Sequence, residues 1–196
     1  SGGEWQLFKT IYRTVGIVVL QLVTPRKLSR PDSIAGNPTE GPTMYENYRM
    51  PGEFEKRSNV YVTWLPDYIR AEGYDNRQPC VDVIKALLEY GDVTVNLNCG
   101  APGSYEEACS RLKEEGVDLD RIEITQFEDS NFYVRDNGPS IMVDDKGHSY
   151  MVNPAWTYYG VWDKNSPECQ SARKAAVHMA VALGCFDIVN SEMVSE

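Results

Sequence analysis

The spacing of apolar residues predicts alternating strands and helices through the first half of the chain. Strands are predicted where β-branched and aromatic residues cluster or alternate with polar ones, at residues 58–64, 92–97 and 121–125. A first helix is predicted between a capping pair at residues 75–76 and Gly91. A second helix is predicted to begin with a capping box formed by Ser104 and Glu107 and to end at Gly116.

The second half repeats this order of strands, helix and strand. Its strands are predicted at residues 131–135, 140–144, 149–153 and 186–189. A turn at 145–147 predicts a hairpin, and a helix is predicted over 167–183 because Pro167 opens it and Gly184 stops it. Repetition with a period of roughly 70 residues is typical of a modular array. We therefore expect an α/β fold with mixed sheets and helices outside.

The net charge of the chain limits which kinds of molecule it is expected to bind. The 196-residue chain has 29 acidic and 19 basic residues, and its net charge of −10 argues against nucleic acid or an anionic membrane as a partner. Residues 1–40 hold five basic and three acidic groups, a balance of +2, which leaves −12 for the remainder. An apolar stretch at 15–23 is too short to span a bilayer. A linker-like composition follows, and we predict that residues 1–43 form an extension.

The cysteine, histidine and tryptophan residues do not by themselves indicate a functional site. The five cysteines are odd in number and have no C-x-x-C spacing, which argues against a disulfide framework and against a zinc site. We expect reduced, mostly buried thiols in a cytoplasmic protein. His148 is expected to be solvated and His178 to have a surface or packing role. The tryptophans at 64, 156 and 162 are expected to be core aromatics.

Residues 132–139 (Phe-Tyr-Val-Arg-Asp-Asn-Gly-Pro) form the most informative segment. An aromatic and β-branched run predicts a strand, and Asn-Gly-Pro predicts a turn after it. Asp136 would then lie at the end of a strand, where a carboxylate can be held rigidly and still face a cation. The alternative is an ordinary turn in which Arg135 and Asp136 make a surface ion pair. The residues alone do not distinguish a cation-binding carboxylate from a surface ion pair.

Three stretches resemble the agmatine deiminase and bacterial-type peptidylarginine deiminase family. Residues 49–55 (Arg-Met-Pro-Gly-Glu-Phe-Glu), followed by the strand at 60–66, are similar to the family's opening Arg-Met-Pro-Ala-Glu-Trp/Phe-Glu and its first strand ending in Trp-Pro. Residues 133–139 resemble the family's Trp-x-Arg-Asp-x-Gly-Pro. Residues 152–160 lie where the family has a strand ending in Asp-Trp-x-Phe-Asn-x-Trp-Gly. The resemblance covers about residues 44–196.

The resemblance implies a pentein-like α/β propeller, of which this chain would supply about two of five modules. The modules would be about 44–128 and 129–196, in an N-terminal portion of the domain at 44–196. These enzymes place a His-x-Asp pair and a nucleophilic cysteine in their later part, and neither His148 nor His178 begins such a pair. We expect the nucleophile to lie outside this chain, and the isolated chain to be inactive. The resemblance implies no metal and no organic cofactor, and leaves a homo-oligomer open.

The resemblance also implies site residues. Asp136 would be a guanidinium-binding, catalytic carboxylate, and Tyr133 would replace the tryptophan that lines the substrate slot, where it can make a cation–π contact. Glu196 would be a further acidic substrate-binding residue if two glycines follow it. No arginine pair lies near 153–160 of the kind that holds a peptide carboxylate, which favours a small guanidine such as agmatine over peptidyl arginine.

Two alternatives from other classes remain open. The first is a non-catalytic ligand-binding or interaction module on the same fold. The second is a complete α/β domain unrelated to the deiminases, which would show no repetition of modules.

Overall fold

The computed structural model describes residues 20–22, 47–52, 55–64, 75, 77–90, 93–128 and 134–195. For residues 20–22, 90 and 192–195 it describes the backbone only. Within these ranges the chain forms two sheets, each with helices packed against it. None of the described helices combines the length and the apolar character needed to cross a bilayer.

The first sheet has four strands in the order of the sequence: β1 (Leu20–Leu22), β2 (Asn59–Thr63), β3 (Thr94–Asn98) and β4 (Ile122–Thr125). Strands β2, β3 and β4 are parallel, and β1 pairs with β2 in the antiparallel sense. Strand β1 comes from the segment predicted to be an extension. The strands predicted at 58–64, 92–97 and 121–125 are confirmed to within two residues at each end.

Two helices form the crossover connections that parallel strands require: α1 (Arg77–Tyr90) and α2 (Ser104–Glu114). A short 3₁₀ helix (Leu119–Arg121) leads into β4. Alternate residues of β2 and β3 pack against these helices and form the first core, which includes Val60, Val62, Val95 and Leu97. Helix α2 ends at Glu114, and Gly116, with a φ of 76°, follows in the left-handed conformation that the predicted stop requires.

The second sheet contains β5 (Ser140–Val143), β6 (Ser149–Trp156) and β7 (Ile188–Ser195). The predicted hairpin is confirmed, because β5 and β6 are antiparallel and Gly147 adopts a φ of 83° in the turn between them. Helix α4 (Pro167–Ala182) connects β6 to the parallel strand β7. It begins as predicted, with the Ser166 hydroxyl accepting a hydrogen bond from the Cys169 backbone amide at 3.2 Å.

Strands β6 and β7 both run past the ends that the sequence predicts. Pro154 has no backbone N–H to donate, and the register between β6 and β7 shifts between Asn153 and Ala155, so the irregularity accommodates the proline. The sequence predicts β7 at 186–189, but its pairing with β6 begins at Ile188, opposite Met151, and Phe186 is exposed. Its polar residues are held in the sheet by parallel pairing with β6, which local propensity does not reveal.

Candidate functional site

The segment that contains Asp136 is a single helical turn, α3 (Val134–Asn137), directly before β5. The predicted strand at 131–135 is therefore wrong at residues 134–135, and Asp136 does not lie at the end of a strand. Residues 131–133 lie outside the described part of the chain. Turn α3 contacts β2, β6 and α4, so it lies where the two sheets meet.

The geometry of a helical turn explains why the strand is not formed. In a strand, residues 134 and 136 would share one face, so the burial of Val134 in the second core would also bury the Asp136 carboxylate. In a helix each residue advances by about 100°, which directs these two side chains to nearly opposite sides. Val134 is accordingly buried and Asp136 is half-buried. Packing of Val134 has overridden the β propensity of the segment.

Asp136 keeps its carboxylate available. Within the described ranges, no hydrogen bond or ion pair engages its oxygens, so the predicted alternative of a surface ion pair with Arg135 is not formed. The next residue, Asn137, is buried on the same side as Val134, and neither its Oδ1 nor its Nδ2 has a hydrogen-bond partner in the part of the chain that the structure describes. A buried amide without a partner costs about 1–3 kcal/mol. Sequence reasoning missed Asn137, because its burial is decided by α3 and not by any pattern in the sequence.

The location of α3 follows from strand direction. Ser140, the first residue of β5, is paired with Val152 in the middle of β6, and β5 runs antiparallel to β6, so the residues before Ser140 lie toward the carboxyl end of β6. Turn α3 therefore lies at the edge of the second sheet where β6 and β7 have their carboxyl ends, an edge at which binding groups commonly collect in α/β sheets.

A polar network ends the parallel strands of the first sheet. The Asn98 side chain is fully buried at the carboxyl end of β3; its Oδ1 accepts from the Thr125 hydroxyl at 3.0 Å and from the Phe127 backbone amide at 2.9 Å. Its Nδ2 donates to the Phe127 carbonyl at 3.0 Å. Phe127, fixed in this way, stacks on His178 of α4 with ring centroids 4.1 Å apart. The packing role predicted for His178 is confirmed, and burial lowers the pKa of its imidazole.

A charged cluster lies beside the first core. The Arg77 side chain is only 4% exposed and forms an ion pair with Glu107, which is 33% exposed. Glu107 also accepts a hydrogen bond from Trp64 Nε1 at 3.3 Å. The predicted capping box is therefore wrong: α2 is preceded by Gly103 with a φ of 76°, and the Ser104 hydroxyl donates to the Ala101 carbonyl at 2.6 Å. Glu107 turns away from the helix end because a buried guanidinium requires a counter-charge.

The described cysteines are poor candidates for a nucleophile. All five are free, and all except the half-buried Cys109 are buried, as predicted. Burial raises the pKa of Cys99 to about 12, and it also raises the pKa values of Cys80 and Cys185. A nucleophilic cysteine needs a lowered pKa, because the thiolate is the reactive form. Such thiols remain protonated at neutral pH.

Two of the predicted site residues, Tyr133 and Glu196, lie outside the residues that the structure describes. Of the three, the structure therefore describes only Asp136, which it places in a helical turn at the junction of two sheets. Trp64 and Trp156 are buried, as expected for core aromatics, whereas Trp162 is 42% exposed. The expectation that Trp162 lies in the core is wrong, since it follows the end of β6 in a surface turn.

Known proteins share this fold and this sequence pattern. The chain is 34% identical to the agmatine deiminase of Pseudomonas aeruginosa (strain LESB58) over 126 residues, which are 63% of this chain and 32% of that protein. The structure of the agmatine deiminase of Enterococcus faecalis matches 74% of this chain and 38% of its own, with 23% identity and a TM-score of 0.55. The C. jejuni agmatine deiminase matches 76% and 41%, with 12% identity and a TM-score of 0.50.

These two structures have identities under 25% and show a shared fold. The α/β fold with mixed sheets and outer helices is thus that of the agmatine deiminases. The family model for Porphyromonas-type peptidyl-arginine deiminase matches residues 49–196, and the chain belongs to this family. The chain spans about a third of the length of the curated relatives that it matches.

Proposed function

We propose that this chain carries part of the substrate site of a guanidine deiminase, with Asp136 as a guanidinium-binding carboxylate. The reaction would convert a guanidinium and water into a ureido group and an ammonium ion. The observation that carries the proposal is a half-buried carboxylate that pairs with none of the described residues, in the family's Arg-Asp motif, at the carboxyl edge of a sheet. Tyr133 and Glu196 are proposed as further substrate-binding residues on the strength of the resemblance.

The chemistry explains why such a carboxylate is needed. A guanidinium carbon is a poor electrophile, because its charge is delocalised over three nitrogens. A carboxylate that accepts two N–H groups fixes the plane of the cation and holds its charge where water is excluded. A thiolate can then add to the carbon, an imidazole can protonate the departing ammonia, and water can hydrolyse the intermediate. Asp136 would serve the first of these steps.

The nucleophile is proposed to lie outside this chain. The raised pKa values of Cys80, Cys99 and Cys185 support this, since their thiols are protonated at neutral pH. We further propose that the two sheets correspond to two of five modules of a propeller, at about 44–128 and 129–196. The change from the first sheet to the second, between Thr125 and Ser140, supports that division.

The substrate is proposed to be agmatine or a similar small guanidine. The relative and the two solved structures named above are agmatine deiminases, and the sequence offers no arginine pair near 153–160 for a peptide carboxylate. The experiment is calorimetric titration of the purified chain with agmatine and with putrescine, which has an amine in place of the guanidine. Agmatine is expected to bind more tightly, and the chain is expected to release no ammonia from it. Equal affinity for both ligands would contradict guanidine recognition.

A ligand-binding module without catalysis is the second candidate. The raised pKa values of the buried Cys80, Cys99 and Cys185 favour it, because these three thiols are not activated nucleophiles. Ammonia release by the purified chain would exclude this second candidate and would also contradict a nucleophile outside the chain.

A further inference from the structure

Three buried side chains around turn α3 carry polar atoms that pair with none of the described residues. These atoms are Oγ1 of Thr63, Oδ1 and Nδ2 of Asn137, and Oδ1 of Asn153. Thr63 is 5% exposed, Asn137 is 1% exposed and Asn153 is 2% exposed. Buried polar atoms in folded proteins are nearly always hydrogen-bonded, so a group of unpaired ones indicates an interaction that protein atoms do not make.

The three side chains face the interior between the two sheets. Side chains alternate along a strand, so Thr63 shares its face of β2 with Tyr61, which belongs to the second core. Asn153 shares its face of β6 with Met151, which belongs to the same core. Turn α3, which ends at Asn137, contacts both strands. The unpaired atoms therefore lie around the space where the turn and the two strands come together.

The polar groups next to these atoms are already paired. Asn98, the partner of Thr63 in the register of β2 and β3, uses both of its side-chain polar atoms in the network that ends the parallel strands. The Nδ2 of Asn153 donates to the Arg173 carbonyl at 3.3 Å and to Asn190 Oδ1 at 3.0 Å. The set that remains consists of two amide oxygens, one amide nitrogen and one hydroxyl.

These four atoms define what can bind among them. The two amide oxygens require donors, the Asn137 nitrogen requires an acceptor, and the Thr63 hydroxyl can serve as either. A cation would satisfy the oxygens but cannot accept from the nitrogen. A water molecule donates twice and accepts twice, and interior waters typically make about three hydrogen bonds to polar groups of this kind.

We propose that an internal water molecule bridges the Asn137 amide to Thr63 and Asn153 and fixes the orientation of turn α3. Asn137 is thereby a positioning residue for the Asp136 carboxylate, an assignment that rests on the proposed function. Packing of Val134 anchors the turn but gives it no direction, because apolar contacts are non-directional, whereas hydrogen bonds have a preferred geometry. Asp136 immediately precedes Asn137, so a rotation of the turn would move its carboxylate away from a bound cation.

The water is tested first, by nuclear magnetic resonance on the purified, ¹⁵N-labelled 196-residue chain. The side-chain amide protons of Asn137 are expected to exchange slowly with solvent and to show a nuclear Overhauser effect from a long-lived water. Asn165 is the control, because it is exposed, and its side-chain amide is expected to show no such effect. Absence of the effect at Asn137, whatever its exchange rate, overturns the proposal.

Thr63 provides a matched pair of variants for the positioning role. Thr63→Val keeps the shape of the side chain and removes the hydroxyl, whereas Thr63→Ser keeps the hydroxyl and removes the methyl group. Thr63→Val is expected to shift the backbone amide resonance of Asp136 and to weaken agmatine binding by about three- to tenfold, the range for loss of one neutral hydrogen bond. Thr63→Ser should leave the resonance in place and the affinity within about twofold of the parent.

Thr94→Val is the control for the substitution itself, since Thr94 is exposed at the first position of β3, and it should change neither the resonance nor the affinity. A role of Thr63 in packing alone predicts the reverse order for its two variants, because serine leaves a cavity that valine fills. Equal effects of Thr63→Val and Thr63→Ser, or a larger effect of Thr63→Ser, overturn the positioning role.

Failure of the proposed function would give a different result. If the parent chain does not bind agmatine, guanidine recognition is contradicted, but the water effect at Asn137 and the resonance of Asp136 still decide this inference, because neither requires a ligand. If the parent binds agmatine and Thr63→Val binds it equally tightly, the proposed function stands and the positioning role of Asn137 is overturned.

Discussion

Glu107→Gln tests whether the buried charge of Arg77 depends on this carboxylate. Arg77 is 4% exposed, and removing one partner of a buried ion pair costs about 3–5 kcal/mol. Glu107 is 33% exposed, and water weakens the pair from that side, so we expect a loss of about 2–3 kcal/mol in the free energy of unfolding. Glutamine still offers an oxygen to Trp64 Nε1, which isolates the effect of charge.

The assay is urea unfolding at neutral pH, followed by circular dichroism and tryptophan fluorescence, with m-values compared between variants. Glu114→Gln is the control, because Glu114 lies on the same helix, is exposed and accepts only a 3.3 Å hydrogen bond from the Ser110 hydroxyl. It should change stability by less than about 0.5 kcal/mol. The double variant Arg77→Met with Glu107→Gln should recover part of the loss, since no charge then remains buried. Equal stability of Glu107→Gln and Glu114→Gln would refute the reasoning.

Three further predictions concern single residues. Burial lowers the pKa of His178 in the folded state, so the stability that its neutral form provides should be lost as pH falls below the unfolded pKa of about 6.5. In thermal unfolding, His178→Gln should flatten the dependence of Tm on pH. The control His148→Gln should keep the dependence of the parent. Native thiol labelling should modify Cys109 first, because it alone is half-buried, and rapid labelling of several thiols in the folded protein would be inconsistent with the buried positions of the others. Gly116→Ala should cost about 1 kcal/mol in urea unfolding, because its φ is 76° and an added Cβ meets nothing within 4 Å; a loss well above this would point to a clash.

Local signals in the sequence were sufficient to predict the positions of most helices and strands. Pro167 and Gly184 bound α4, and the turn at 145–147 defines the hairpin, because their effects act through neighbouring backbone atoms. Three predictions failed for a common reason. Contacts between residues that are far apart in the chain determine the helical turn at Val134 and the pairing of Glu107 with Arg77. The exposure of Trp162 depends on the course of a surface turn.

At the candidate site, too, the sequence predicts some features and misses others. The Arg-Asp motif made Asp136 a candidate without any structure, since residue type and spacing carried the resemblance. The buried amide of Asn137 could not be predicted, because a strand and a helical turn would direct it to different sides. Helical geometry also explains how one short segment packs Val134 into the second core and turns the Asp136 carboxylate to the opposite side.

The most direct test of the central claim is agmatine affinity in Asp136→Asn compared with Asp145→Asn, measured by calorimetry on the purified chain. Both variants remove one negative charge, but Asp145 lies in the exposed hairpin turn. A charge-assisted hydrogen bond contributes about 1.5–3 kcal/mol, so Asp136→Asn should weaken binding about tenfold or more while its Tm stays unchanged. Asp145→Asn should bind within about twofold of the parent, as expected for a distant, screened charge. If Asp136→Asn binds agmatine as tightly as Asp145→Asn does, Asp136 does not hold the guanidinium.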